Sequence, residues 1–306
     1  MPERIVTQVG AHRLTVSHLD KALWPAFSKA QVLDYYLRVA EALLPHVARR
    51  AASFVRCPAG ADGPRFFTHS APEGLPKWIV TTRKGERTHL VLDNPESLIA
   101  AVNHYCLEIH VPQWTAETGP DLHDRIVFDL DPGEGADLAT CCRVALLLRR
   151  ELRADHLQGL PVTSGGKGLH VYVGLNPPWR VDDAVGYAKS IAQRLTAAHR
   201  DLITHVRGPK ARAGGKVLVD WAQNHSRSTT ASPYTLRVRE REDAPSVATP
   251  LSWDEVEAAG ADAGGGGAGA GGGGDPRVLT FTPGDVAARV ERDGDLIAAL
   301  ADPAPF

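Results

Sequence analysis

The stretch Ile126-Val127-Phe128-Asp129-Leu130-Asp131-Pro132-Gly133 decides how the rest of the chain is read. Its β-branched and aromatic residues predict a strand. Side chains two apart in a strand share a face, so Asp129 and Asp131 point together while Phe128 and Leu130 face the other way. Carboxylates roughly 6–7 Å apart at Cα suit a pair of divalent cations about 3.5–4 Å apart that share oxygen ligands. An isolated pair of this kind also fits a strand end whose acids simply meet solvent.

Outward from this stretch, further strands are predicted at 169–175 and 217–221, with the first strand itself covering 125–130. Helical patterns separate them. One spans about 138–152 with Val144, Leu147 and Leu148 inward, and another starts near Asp182. Strands with helices between them predict a mixed α/β core. Upstream, Ser28 and Gln31 form a capping-box signature. The helix they open carries Val32, Leu33, Tyr36, Leu37, Ala40, Leu43, Leu44 and Val47 on one broad face. Residues 264–274 are only glycine and alanine, a composition that cannot fill a core and predicts a flexible insertion. Residues 282–300 predict a short amphipathic helix. No internal repeat is present. The expected organisation is one domain over 1–306, in four parts: 1–120, 121–258, a glycine-rich insertion (259–275) and a C-terminal tail helix (276–306).

Composition sets limits. A formal net charge of −2 means that a polyanion must be held by local basic patches and not by the overall field. No signal-peptide order is seen at the N-terminus, and no apolar run approaches the length that crosses a bilayer. Cys57, Cys106, Cys141 and Cys142 lack CxxC spacing, which predicts reduced packing cysteines in a cytoplasmic protein, and the absent apolar run predicts no membrane partner.

Thr163-Ser164-Gly165-Gly166-Lys167-Gly168-Leu169-His170 precedes an alternating strand with His170 and Tyr172 on one face. Glycines let backbone N–H groups approach an anion, and Ser164 and Lys167 add a hydroxyl and a positive charge. The loop reads as a triphosphate cradle or as a plain turn between helix and strand. It is not a Walker A loop, because Gly168 follows the lysine and Pro161 replaces the leading glycine. Lys216-Val217-Leu218-Val219-Asp220-Trp221 is an apolar strand interrupted by one acid. A buried aspartate is costly unless it is paired or binds a cation. With Asp129 and Asp131 available, a three-carboxylate metal site is the economical explanation.

Lys21, Lys29, Arg56, Lys77, Arg83 and Lys84 are interleaved with Trp24, Phe66, Phe67 and Trp78 in the N-terminal third. Phosphates favour cations and unpaired bases favour flat π-faces. Trp24 and Trp78 read as core residues, and of Phe66 and Phe67 at least one ring is expected to face outward. His110 by itself reads as a structural histidine.

Taken in order, Phe128-Asp-Leu-Asp-Pro-Gly-Glu-Gly135, Ser164-Gly-Gly-Lys-Gly-Leu-His170 and Val219-Asp-Trp-Ala-Gln-Asn224 resemble the polymerase domain of bacterial ligase D, in the archaeo-eukaryotic primase superfamily. Asp20-Lys-Ala-Leu-Trp-Pro25, Phe66-Phe67, His110-Val-Pro-Gln-Trp114 and Ser232-Pro-Tyr-Thr-Leu-Arg237 extend the resemblance over nearly the whole chain. It implies a primase-polymerase fold of α+β type, with a central mixed or antiparallel sheet that carries the metal site and is flanked by helices. The implied activity is template-directed nucleotidyl transfer, preferably of ribonucleotides, at DNA gaps or double-strand-break ends, as in non-homologous end joining.

By motif, Asp129, Asp131 and Asp220 would be the catalytic metal ligands for two Mn2+ (or Mg2+) ions. Ser164, Lys167, His110 and Arg237 would hold the nucleoside triphosphate, Phe66 and Phe67 would stack on the template, and Lys21 and Lys29 would bind a 5′-phosphate. Implied partners are DNA with gaps or 3′ overhangs and a 5′-phosphate, nucleoside triphosphates, a Ku-type end-binding protein and a separate ATP-dependent DNA ligase. No ligase or phosphoesterase module accompanies the motifs, so a stand-alone form is expected.

The chain departs from the family pattern at His18, where asparagine is frequent, and at Thr68-His69-Ser70, where Gln-Lys-His is frequent. The segment 210–216 matches only loosely. Two other readings are a catalytically secondary end-bridging protein and a phosphatase of the haloacid dehalogenase type. The latter expects Thr or Val where Gly133 stands and a paired acid where Trp221 follows Asp220.

Overall fold

In the computed structural model, which describes residues 4–84, 86–238, 241, 243–262 and 279–303, the Asp129 segment is a strand over Leu122–Pro132. It exceeds the apolar run because, beyond a shift of register between His123 and Arg125, its first residues pair with the end of Leu169–Arg180, Leu122 opposite Arg180 and His123 opposite Trp179. The order of the five-stranded sheet is Gly159–Thr163, Leu169–Arg180, Leu122–Pro132, Val217–Asp220, Ile203–Thr204. Its pairings are antiparallel except the last, which is parallel. The fold is therefore mixed α/β with a mixed sheet. Ile126, Phe128 and Leu130 on one face of the central strand and Val127 on the other are fully buried.

Two helices cover this sheet. Leu138–Ala154 starts at Asp137, whose side chain accepts from the Thr140 N–H at 2.8 Å and from the Thr140 hydroxyl at 2.6 Å. Val144, Ala145, Leu148 and Leu152 form its buried stripe, with the spacing of a helix face. Leu147, expected inward, is only half-buried. Val181–Ala198 buries Ala184, Ala188, Ile191, Ala192 and Leu195. These elements, with the helix Trp253–Asp262, belong to a compact unit made of Thr118–Ser228, Thr249–Thr280 and Leu296–Phe306.

The other compact unit comprises Met1–Glu117, Thr229–Ala248 and Phe281–Asp295. Its sheet has the order Thr230–Ala231, Cys106–Val111, Ser53–Arg56, Phe66–Thr68. Its core is built from Trp24, Tyr36, Leu43, Phe54, Leu98, Val102, Leu107, Ile109 and their neighbours. Ser28 caps the helix Lys29–Arg38 through the full capping box. The single helix expected to reach Val47 is instead two, because at Val39 (φ −98°, ψ 3°) the ladder tightens and Ala42 donates to Val39 O at 3.1 Å before Ala40–Val47 continues. The expected tail helix is Pro283–Asp293, capped by Thr282 and ended by Gly294 at φ 70°, a value that favours glycine.

The two units are therefore discontinuous in sequence, and the chain passes from one to the other more than once. The glycine-rich stretch lies outside the described residues from 263 to 278, while residues 259–262 of the expected insertion belong to the helix Trp253–Asp262. All four cysteines are buried. Among the described residues no helix is long and apolar enough to cross a membrane.

Candidate functional site

The register of the five-stranded sheet lays three residues in one row across three strands, with Asp129 opposite His170 on one side and opposite Asp220 on the other. Directly opposed cross-strand side chains share a face, so Asp220 joins Asp129, and Asp131 joins them by alternation. Like charges directly opposed destabilise a sheet unless something positive stands between or beside them.

In this structure basic side chains fill that need. The Arg207 guanidinium grips Asp220 with both Nε and Nη2, at 2.7–3.1 Å to the two carboxylate oxygens. Arg212 pairs with Asp131, and His170 Nε2 lies 3.5 Å from Asp129 Oδ1. The negative field is felt nearby. Burial first, then the charges of Cys142, Asp129 and Asp131, push the Cys141 thiol well above its ordinary range. Among the described residues, no three His, Cys, Asp or Glu side chains converge on one point as a metal cage would require. The donor set itself, three carboxylates on one face, is the hard-oxygen chemistry that Mg2+ and Mn2+ prefer.

The glycine loop is seated against the same strand. A Cβ at Gly168 would lie 2.6 Å from Leu130 O, between the two aspartates in sequence, so only glycine allows this approach. The Ser164 hydroxyl accepts from the N–H groups of Gly166 at 3.2 Å and Gly168 at 3.1 Å. Those two amides are thereby committed to shaping the loop, which departs from the expected open cradle of backbone donors. Lys167 projects from the loop and is exposed.

Arg212 reaches Asp131 through a second set of close backbone approaches. Gly133 N–H donates to Lys216 O at 2.9 Å and Gly215 N–H to Glu134 O at 3.0 Å, while a Cβ at Gly133 would strike Arg212 O at 2.2 Å. The turn after the strand and the segment 210–216 are thus packed by glycine, a relation between distant residues that spacing does not reveal.

The remaining expected site residues lie in the first unit. His110 and Arg237 are brought together by Glu108, a buried carboxylate that sequence reasoning did not single out. His110 Nε2 is 3.1 Å and Arg237 Nε 3.4 Å from Glu108 Oε2, and Val238 N–H donates to Oε1 at 2.7 Å. Burial alone would raise the Glu108 carboxyl. The His110 hydrogen bond and the Arg237 charge outweigh it, so its pKa is held below the ordinary value. The signal available in sequence was the alternation of Glu108 with His110.

Phe66 and Phe67, 57% and 50% exposed, occupy the edge strand of the four-stranded sheet, and alternation sends them to opposite faces. Phe67 lies 5.1 Å from His69 and 5.2 Å from His110. Phe66 pairs in register with Arg56. His69 Nδ1 is 2.8 Å from the Ser53 hydroxyl, which extends the His110 face.

Arg56 in turn lines a recess of about 380 Å³ with Arg4, Ser17, His18, His104 and Tyr105. The two expected phosphate lysines border it. Lys29 Nζ donates to Ser17 O at 2.7 Å and Asn103 Oδ1 at 2.8 Å and lies 4.6 Å from the Tyr105 ring centre. Lys21 Nζ donates to Pro58 O at 2.5 Å and lies 5.2 Å from the same ring centre. The recess is electropositive. Burial, then the charges of Arg56 and Lys29, hold His104 below its usual value. Burial, then Lys21, lowers Lys29 to about 8. Lys29 is a buried ammonium with two of its three N–H donors engaged, not the open surface cation that the sequence suggested.

A family model for the LigD primase-polymerase domain matches residues 28–264. The chain belongs to the LigD primase-polymerase domain family. LigD proteins similar to it include the multifunctional non-homologous end joining DNA repair protein LigD of Mycobacterium tuberculosis H37Rv, 38% identical over 96% of this chain. The LigD of Mycolicibacterium smegmatis is 36% identical over 96% of the chain, and that of Bacillus subtilis 29% over 81%. The chain spans 38%, 37% and 40% of the length of these relatives.

Among solved structures, the polymerase domain from M. tuberculosis ligase D in complex with DNA superposes with a TM-score of 0.83 at 36% identity, covering 96% of this chain and 99% of that one. As a LigD primase-polymerase domain the chain is a nucleotidyltransferase, in a family that is metal-dependent in general. That membership sets aside the haloacid dehalogenase alternative.

Proposed function

We propose that this chain performs template-directed nucleotidyl transfer, preferably of ribonucleotides, at DNA gaps and double-strand-break ends during repair such as non-homologous end joining. The observation that carries the reading is the row in which Asp129 stands opposite Asp220 with Asp131 on the same face. A sheet that opposes two acids favours a cation between them. In this reading Asp129, Asp131 and Asp220 hold two Mn2+ or Mg2+ ions. When bound, such cations lower the pKa of a primer 3′-hydroxyl and neutralise the pyrophosphate that leaves.

The chain's own residues supply the rest. Lys167, exposed on its glycine-shaped loop, offers a charge to the triphosphate, and the Ser164 hydroxyl fixes that loop. Held by Glu108, His110 and Arg237 are nucleotide contacts of preset orientation. Phe66 and Phe67 offer π-faces to unpaired template bases. The electropositive recess beside Lys21 and Lys29 takes the 5′-phosphate of the strand beyond a gap. The reading extends to DNA with gaps or 3′ overhangs and to nucleoside triphosphates as substrates, and to a Ku-type protein and an ATP-dependent ligase as partners.

Primer extension on a gapped template tests this, with ribo- against deoxynucleotides and 5′-phosphate against 5′-hydroxyl. Extension should need Mn2+ or Mg2+ and favour ribonucleotides and the phosphorylated gap. Asp129→Ala should lose it while retaining DNA binding in gel shifts. Continued extension by Asp129→Ala in Mn2+ would refute the assignment.

A further inference from the structure

We infer that Asn224 is a positioning residue that sets the geometry of the Asp129–Asp220 carboxylate pair by standing in for a missing stretch of β-strand. The inference rests on the functional reading above.

The strand Val217–Asp220 pairs with the central strand only as far as Asp220, opposite Asp129. Continued in register, the next partner on the same edge would face Val127, two residues before Asp129. The chain instead leaves the sheet at Trp221 and turns through Ala222–Asn224 as a short 3-10 helix. Val127 is fully buried. Its N–H and C=O on that edge would have no strand to meet, and a buried unpaired backbone group is costly.

The Asn224 carboxamide fills the gap. Val127 N–H donates to Asn224 Oδ1 at 2.8 Å, and Asn224 Nδ2 donates to Val127 O at 2.7 Å. This is the donor-and-acceptor exchange of a paired strand residue, made by a side chain. Nδ2 also donates to Trp221 O at 2.8 Å, immediately after Asp220. Asn224 is 0% exposed.

One amide therefore ties the backbone before Asp129 to the backbone after Asp220. On the other side of that turn, Ala222 N–H donates to Asp220 Oδ1 at 3.0 Å. The two carboxylates belong to different strands, and beyond Asp220 this tie takes over the edge pairing that the shorter strand no longer makes. No other side-chain type carries a donor and an acceptor in the planar arrangement of a peptide unit at this reach, glutamine being one methylene longer.

The test uses the whole chain with Asn224→Leu, which keeps the branched shape and loses all three side-chain hydrogen bonds, and Asn224→Ala. Mn2+ binding to the protein alone is read by electron paramagnetic resonance, with Asp129→Ala alongside. The expected result is Mn2+ affinity weakened about tenfold or more, with kcat for primer extension falling and the KM for DNA unchanged. Binding of a 5′-phosphorylated overhang should be unaltered.

In the wild-type protein the Val127 amide should exchange with deuterium as slowly as its strand neighbours, a measurement that needs no folded variant. Leu and Ala variants with Mn2+ affinity and kcat within about twofold of wild type would overturn the inference, as would a fast-exchanging Val127 amide. If Asp129→Ala itself bound Mn2+ like wild type, the metal-site reading would fail instead, and the two failures are thereby told apart.

Discussion

Asp129 and Asp220 face each other directly across two antiparallel strands, an arrangement that costs the sheet stability whenever nothing positive lies beside them. Arg207 on Asp220 and His170 beside Asp129 supply that charge in the metal-free protein, so Asp129→Asn is expected to shift the metal-free melting temperature by no more than about 1 °C. Any Mn2+-dependent rise in melting temperature should vanish. Scanning calorimetry with and without Mn2+ measures both, and an unchanged Mn2+ response would contradict the pairing argument.

In the proposed metal site, Arg207 and Arg212 would compete with cations for the oxygens of Asp220 and Asp131 that they now hold. Arg207→Ala should therefore tighten Mn2+ binding to the nucleotide-free protein by about two- to fivefold, the modest factor fitting a guanidinium that is 58% exposed. Titration calorimetry at low and high salt reads it, because screening should shrink the difference. Weaker Mn2+ binding in Arg207→Ala would mean that the arginine assists the metal and does not oppose it.

Glu108→Gln removes the charge that holds both His110 and Arg237. Nucleotide KM should rise about tenfold with a smaller change in kcat, the pattern of lost orientation in binding. Stability should change as well. The Glu108 pKa is depressed in the folded state, so its contribution is present above the unfolded value of 4.5 and lost as pH falls below it. The melting temperatures of wild type and Glu108→Gln should accordingly converge in acid and separate toward neutrality.

On the proposed reading, Lys29 would give 5′-phosphate recognition its own pH profile. A dianion binds the charged ammonium, so affinity should be full below about 8 and fall as pH rises through that value. The loss should be about tenfold per pH unit for one proton, until the pKa of the complex is reached. Fluorescence anisotropy with 5′-phosphorylated and 5′-hydroxyl gaps between pH 7 and 9.5 isolates the effect. The 5′-hydroxyl curve should be flat, and Lys29→Arg should flatten the phosphate curve.

Phe66 and Phe67 are neighbours in sequence but lie on opposite faces of an edge strand, one aligned with Arg56 and the other against His110. Phe66→Ala is expected to reduce the stimulation of extension by a 5′-phosphate, and Phe67→Ala to raise nucleotide KM. Each loss should approach tenfold, from about 1–3 kcal/mol per stacked base. Equal effects of both variants on both quantities would show that the two rings act on one ligand.

Much of this was legible in the sequence, and the reasons for the rest are physical. The Asp129 and Asp220 strands follow from their β-branched and apolar runs, the Leu169 strand from two-residue alternation, and the Ser28 cap from its capping box. Register does not follow from alternation. That Asp129 stands opposite both His170 and Asp220 depends on how three distant segments align. The pairings of Arg212 with Asp131 and of Arg237 with Glu108 leave no local pattern, because the partners lie far apart in sequence, whereas Glu108 alternates with His110 within one strand. Lys29 was legible as a cation but not as a buried one, since only the packing of Ser17, Asn103 and Tyr105 around it decides that.

The way the chain is divided also sets an order of assembly. In the unit that holds Glu108 and the recess, Asp295 accepts from Tyr234 at 2.7 Å and pairs with the buried His46 at 2.8 Å. In the unit that holds the aspartates, Pro303 O accepts from Asn176 Nδ2 at 2.9 Å. A ribosome delivers the chain from its N-terminus, so these contacts of the first and second units can form only once residues 295 and 303 have been made. Partly made chains shorter than this carry both sets of acids and bases with neither framework complete, and they are the species for which chaperones and proteases would compete.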